Sequence, residues 1–116
     1  MATSPSSPRL LQLTTEKAPE HLVVRGVGRI TSESESDFRD AIRELIPQTK
    51  RLVLDLTKVD YIDSSGLGAL VSLYTHASRS GCVLEIANPK QRIRDLFKMT
   101  KLSNVFESSG MDYFGM

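Results

Sequence analysis

Residues 52 to 74, LVLDLTKVDYIDSSGLGALVSLY, constrain the fold more than any other stretch of the chain. The stretch begins as a strand. Leu52, Leu54 and Leu56 alternate with Val53 and Asp55 in a short aliphatic run. It ends as a helix, because Leu67, Leu70, Val71, Tyr74 and Ala77 recur at three- and four-residue spacing as one apolar stripe. The polar turn Asp60 to Gly66, interrupted by Tyr61 and Ile62, joins the two. Asp63, Ser64 and Ser65 favour a helix N-cap, since their side-chain oxygens accept from the free N–H groups of a first turn. Gly66 and Gly68 form helix poorly, which implies that side chains must stay small there, for close approach of a backbone, a partner or an anion. The pattern therefore sets a serine hydroxyl at the positive end of a helix dipole and at the C-terminal end of a buried strand, where open α/β sheets present their sites. A phosphate on such a serine would be stabilised by backbone N–H groups. The plainer alternative is that Ser64 or Asp63 caps the helix.

Composition narrows the classes. The chain has 116 residues, the size of one domain that can bury a core without disulfides or metals. Its 15 basic and 14 acidic residues nearly cancel, which gives no reason to expect nucleic acid or an anionic membrane as partner. No apolar run approaches a membrane span, and MATSPSSPR lacks the apolar segment of a secretory signal. The single Cys82 forms no intramolecular disulfide and reads as a small core residue at the start of a strand. A cytoplasmic setting is the expectation.

Along the chain, residues 1 to 8 read as a disordered Ser- and Pro-rich tail, and 9 to 116 as the domain. Leu10 to Thr15 and His21 to Val27 read as two strands of a hairpin, with a turn over Glu16 to Glu20. Gly28 to Ser36 reads as a polar connection. Phe38, Ala41, Ile42, Leu45 and Ile46 mark a first helix that stops before Pro47. Arg51 to Leu56 is the central strand, and Ser64 to Ser80 the second helix, with Gly81 as its C′ residue. Val83, Leu84, Ile86 and Ala87 form a fourth strand. Asn88-Pro89 opens a third helix, with Ile93, Leu96 and Phe97 on its apolar face. Leu102 to Phe106 reads as a short edge strand. The order β-β-α-β-α-β-α-β implies an α/β fold: a mixed, mostly parallel sheet of about five strands, the first antiparallel, with about three helices packed on it.

Catalytic patterns are missing. His21 and His76 fall on different elements, and Ser64 with Asp63 has no histidine or other identifiable general base. The glycines of GLG match neither a phosphate loop nor a dinucleotide fingerprint, and no Cys/His cluster has ligand spacing. Asp55, Asp60 and Asp63 are the one candidate Mg²⁺ cluster, but alternation puts Asp55 in mid-strand, so turn and capping roles are preferred. No catalytic residue, metal or cofactor is expected. Arg92, Arg94, Lys98 and Lys101 span the third helix, as a solvated face or as a docking surface for an acidic partner.

Residues 10 to 107 resemble the STAS domain, specifically the anti-sigma factor antagonists. The resemblance is carried by Val53 to Leu56, by Ile62-Asp63-Ser64-Ser65-Gly66-Leu67-Gly68, and by Asn88-Pro89 with Ile93, Leu96, Phe97 and Leu102. It implies a non-catalytic binding protein. The unphosphorylated form would bind an anti-sigma factor, a serine kinase of the histidine-kinase-like ATPase fold, and so release a sigma factor. The kinase would phosphorylate Ser64, with Ser65 as the alternative, and a serine phosphatase would restore it. The implied partner surface comprises Gly28, Arg29, Thr31, Asp63, Ser64, Ser65, Gly66 and Leu67. Where well-known antagonists carry Gly-Glu-Leu-Asp, this chain has Gly28-Arg29-Ile30-Thr31, with Thr31 expected to cap the first helix. The family's final helix is expected to be absent or reduced, because the chain ends ten residues after Phe106. STAS-like domains also serve as accessory subunits of lipid-exporting ABC transporters, binding the ATPase, and that is the alternative function; direct membrane insertion is not expected.

Overall fold

The computed structural model describes residues 11–99. The expected tail, the Leu102 to Phe106 strand and the question of a final helix lie outside the described residues. Four strands form one sheet in the order β1 (Leu11–Ala18), β2 (His21–Ile30), β3 (Arg51–Ile62) and β4 (Val83–Ala87). β1 and β2 pair antiparallel as a hairpin, and β2–β3 and β3–β4 pair parallel. Three α-helices, α1 (Glu35–Leu45), α2 (Ser64–Arg79) and α3 (Gln91–Met99), and a 3-10 turn over Ile46–Gln48 complete the described chain. This is the expected α/β arrangement, with its antiparallel first strand.

Leu52 to Leu56 are all buried, and β3 lies inside the sheet with a strand on each side. Leu52, Leu54 and Leu56 join Phe38, Ile42, Leu70, Leu73, Ile93 and Phe97 in the main core, so all three helices contribute to it. Val53 points the other way, into a second small cluster with Val23 and Ala87. The α2 core face is Gly66, Leu67, Ala69, Leu70, Leu73 and Ala77. Leu73 replaces Val71 in the expected stripe; Val71 is half-buried.

α2 ends as its Gly81 implies. Gly81 adopts φ 77°, the Cys82 N–H donates to the Ala77 carbonyl (2.9 Å) and the Gly81 N–H to that of Ser78 (3.3 Å). These are the paired bonds of a Schellman motif. The turn returns the chain to the sheet with Cys82 buried, and burial pushes its thiol pKa up.

Several boundaries move. β1 runs on to Ala18, so Glu16 to Ala18 are strand paired with His21 to Val23 and not turn, which leaves Pro19 and Glu20 as the hairpin loop. α1 starts at Glu35, inside the expected connection to Ser36. β2 runs on to Ile30, so Gly28 is strand and not connection; the pairing with β3 slips between Arg25 and Val27 and again between Gly28 and Arg29. Such slips bend a strand and let polar residues occupy it. β3 runs on to Ile62, so Asp60, Tyr61 and Ile62 are strand and not turn. Val59 and Ile62 are buried, which keeps this polar-looking segment on the sheet. α3 starts at Gln91, two residues past Pro89, because Asn88 takes a left-handed φ of 55° that no helix continues.

Candidate functional site

The two strand extensions bring the site together. The last residues of β2 and β3 run side by side, with Arg29 opposite Tyr61 and Ile30 opposite Ile62. The next N–H, that of Asp63, donates to the Ile30 carbonyl (3.2 Å). α2 then starts at once at Ser64.

Asp63 is the N-cap of α2. Its Oδ1 accepts from the Gly66 N–H (2.9 Å), and its Oδ2 accepts from the Ser32 N–H (3.0 Å) of the chain leaving β2. One carboxylate therefore starts the helix and ties the β2 exit to it. The Gly66 N–H, and after it those of Ser32 and Ser65, hold the Asp63 carboxyl below its ordinary range. The two open readings of the sequence thus separate: Asp63 caps, and Ser64 does not. Ser64 is exposed at the first helical position, and its hydroxyl makes no hydrogen bond among the described residues. Ser65 is half-buried.

Gly66 is small for an internal reason. A Cβ there would lie 2.2 Å from the Ile30 carbonyl oxygen and 2.9 Å from Ile62 Cγ2. The first turn of α2 therefore presses directly on the backbone of β2. Gly68 differs, since a Cβ there would meet nothing within 4 Å.

Thr31 does not cap α1. Its Oγ1 accepts from the Glu33 N–H (3.3 Å), and its carbonyl accepts from the N–H groups of Ser34 and Glu35. Ser34 holds this turn: its buried hydroxyl donates to the Arg29 carbonyl (2.7 Å) and accepts from the Thr31 N–H (3.1 Å). The competing residue is the one whose hydroxyl points inward, where a lost hydrogen bond is expensive.

Ser64 opens onto a groove of about 630 Å³ between the β3–α2 junction and α3, lined by Tyr61, Ile62, Asp63, Leu67, Arg92, Ile93 and Leu96. Leu67 is only 8% exposed, at the groove floor, while Tyr61 is 48% exposed. Of the residues expected at a partner surface, Asp63, Ser64 and Leu67 line the groove; Arg29 is exposed beside Tyr61, and Gly28 and Thr31 are half-buried along the β2 exit. Gly66 is buried against β2. Tyr61 and Leu96 are not among the residues expected at the site, and Arg92 is expected only as part of a basic face of the third helix. No local signal marks them together; only the packing of α3, anchored by buried Ile93 and Phe97, brings its outer residues beside Ser64.

The three aspartates of the rejected Mg²⁺ cluster take different partners. Asp55 accepts from Thr57 (N–H 3.0 Å, Oγ1 2.6 Å) and faces Arg25 (3.5 Å). Asp60 pairs with Lys90, and the hydrogen bond from that ammonium holds its carboxyl low. Among the described residues no group of three metal-ligating side chains forms, and no helix is long and apolar enough to cross a membrane.

The STAS domain family matches residues 12–112, and the chain belongs to it. It is 30% identical over 90 residues to a STAS-domain containing protein of Pseudomonas aeruginosa, covering 78% of this chain and 89% of that one. It is 29% identical over 89 residues to the anti-sigma-B factor antagonist of Bacillus subtilis, covering 77% and 82%. Among solved structures, an anti-sigma factor antagonist from Mycobacterium paratuberculosis superposes with TM-score 0.75 at 21% identity, covering 84% of each chain. The unphosphorylated anti-sigma factor antagonist SpoIIAA superposes with TM-score 0.63 at 18% identity, covering 90% of this chain and 87% of that one. Several relatives of this chain thus carry the name anti-sigma factor antagonist.

Proposed function

We propose that this protein is an anti-sigma factor antagonist switched at Ser64. In its unphosphorylated form it binds a serine-kinase anti-sigma factor of the histidine-kinase-like ATPase fold, and so frees a sigma factor. The kinase transfers phosphate to Ser64, which ends binding, and a phosphatase restores it. The observation that carries this reading is the division of labour at the α2 start: Asp63 performs the capping, which leaves the exposed Ser64 hydroxyl uncommitted. That exposure favours Ser64 over the half-buried Ser65. SpoIIAA, a structural neighbour, is known in both unphosphorylated and phosphorylated forms.

The electrostatics suit a switch. A phosphoryl group brings roughly −1.5 to −2 charges at neutral pH. On Ser64 it sits beside the ionised Asp63, and the N–H groups of the first α2 turn stabilise it while the protein is free. Burying both charges under a partner is unfavourable, so the partner leaves and the domain need not refold.

Paired baits test this: Ser64→Ala and Ser64→Asp in a pull-down from the source cells, read by mass spectrometry. The Ala bait retains an ATPase-fold serine kinase and the Asp bait loses it. Equal capture of that kinase by both would refute the switch. Capture of a transporter ATPase and its permease by both would replace it with the accessory-subunit reading.

A further inference from the structure

Arg92 is the one cation among the residues that line the Ser64 groove. It is exposed on α3 and makes no hydrogen bond or ion pair with a described residue. Its charge is felt at Asp60, but Asp60 is already paired with Lys90. Asp63, the groove's anion, is occupied by the N–H groups of Gly66 and Ser32. The groove is therefore lined by one uncommitted guanidinium and one uncommitted hydroxyl. Its base is fixed on the C-terminal side, because Ile93 and Phe97, one and five residues after Arg92 on α3, are 1% and 0% exposed.

We propose that Arg92 is the counterion, within the same chain, of phosphorylated Ser64. The proposal rests on Ser64 as the modified residue. The planar fork of a guanidinium matches a phosphoryl group and can bond two of its oxygens at once. The contact spans the groove from α2 to α3 and lies over Leu67 and Leu96. Phosphorylation then acts twice: it adds negative charge to the partner surface, and it closes the apolar slot that the partner's side chain would enter.

The test installs phosphoserine at position 64 of the full chain during translation and follows its ³¹P resonance from pH 4 to pH 8. One positive charge about 4 Å away in a water-like dielectric lowers the second phosphate pKa by about 0.8, roughly a sixfold change in proton affinity. Arg92→Gln raises that pKa by this amount relative to wild type, and Arg92→Lys restores part of it. Lys98→Gln removes a charge from the same helix outside the groove, and leaves the titration unchanged. The helix N-terminus acts equally in all four proteins. Phosphorylation also shifts the methyl resonances of Leu96, across the groove on α3, more in wild type than in Arg92→Gln. Coincident titrations of Arg92→Gln and Lys98→Gln would overturn the latch. Because the phosphate is installed directly, that result leaves the Ser64 switch standing, whereas absence of phosphate from Ser64 in cells removes the switch without altering the titration.

Discussion

Gly66→Ala and Gly68→Ala should move stability in opposite directions, although both replace glycine in the first two turns of one helix. Helix propensity alone favours alanine at each by up to about 1 kcal/mol. At Gly68 a new Cβ meets nothing within 4 Å, so the propensity gain stands, and we expect about 0.5–1 kcal/mol of stabilisation. At Gly66 the Cβ would lie 2.2 Å from the Ile30 carbonyl oxygen, about 1 Å inside ordinary contact. That oxygen is backbone, and it also accepts the Asp63 N–H at 3.2 Å. Moving α2 outward to relieve the clash therefore stretches this bond and the Asp63–Ser32 link at the same time. Overpacking of this kind costs about 1–3 kcal/mol, and weakening a hydrogen bond about 1 kcal/mol more. Less the propensity gain, the net is a loss of about 2 kcal/mol, or roughly 10 °C in Tm for a domain of this size. Urea titration by circular dichroism measures both variants, with unchanged slope showing that the midpoint shift is stability. A Gly66→Ala midpoint at or above wild type would refute the claim that α2 rests on the β2 backbone. Loss in both variants would refute the open space at Gly68.

Substitutions at two further positions probe the starts of α2 and α3. Asp63→Ala removes the α2 cap and the tie to Ser32, with an expected loss of about 1–2 kcal/mol at pH 7. The Asp63 carboxyl is held below its ordinary value of 3.8, so its contribution is full above that pH and fades as pH falls through the lower folded value. The gap between wild type and Asp63→Ala in urea titrations should therefore be constant from pH 7 to about 5 and shrink below about pH 4; a gap that instead widens in acid would contradict the assignment. Asn88 holds φ 55° ahead of α3, so Asn88→Ala should lose about 1 kcal/mol while Asn88→Gly stays near wild type, both read by thermal melts; equal Tm values for the two variants would count against that backbone.

The sequence was most legible where a residue's own chemistry decides its place. Leu52, Leu54 and Leu56, the α1 stripe ending before Pro47, and Gly81 at C′ each follow from local periodicity or backbone freedom, and each stands in the structure. It was least legible where neighbours decide. Asp60 and Tyr61 look like a turn, yet they are strand because Val59 and Ile62 bury beside β2 and hold the segment down. Gly28 and Arg29 look like a connection for the same reason, and only their pairing with Val59 and Tyr61 makes them an edge of the site. Thr31 and Ser34 have the same capping chemistry, and the contest between them is settled by which hydroxyl faces inward.

The candidate site shows the same division on a smaller scale. Asp63, Ser64 and Gly66 were visible as a group because they are contiguous, but their separate roles were not. A cap, an exposed hydroxyl and a backbone contact are all compatible with one Asp-Ser-Ser-Gly run until the positions of Ile30 and Ser32 are known. Once Ile30 excludes a side chain at Gly66, the first turn of α2 is fixed against β2, and Ser64 is left on the outer side of that turn. The immobility matters for a switch. A hydroxyl on a frayed helix end would lose its phosphate into solvent, where neither Asp63 nor Arg92 would sense it. Held by the Asp63 cap and the Ile30 contact, the same hydroxyl, if phosphorylated as proposed, would hold its phosphate in one place, beside a carboxylate that repels it and in a groove lined by one guanidinium.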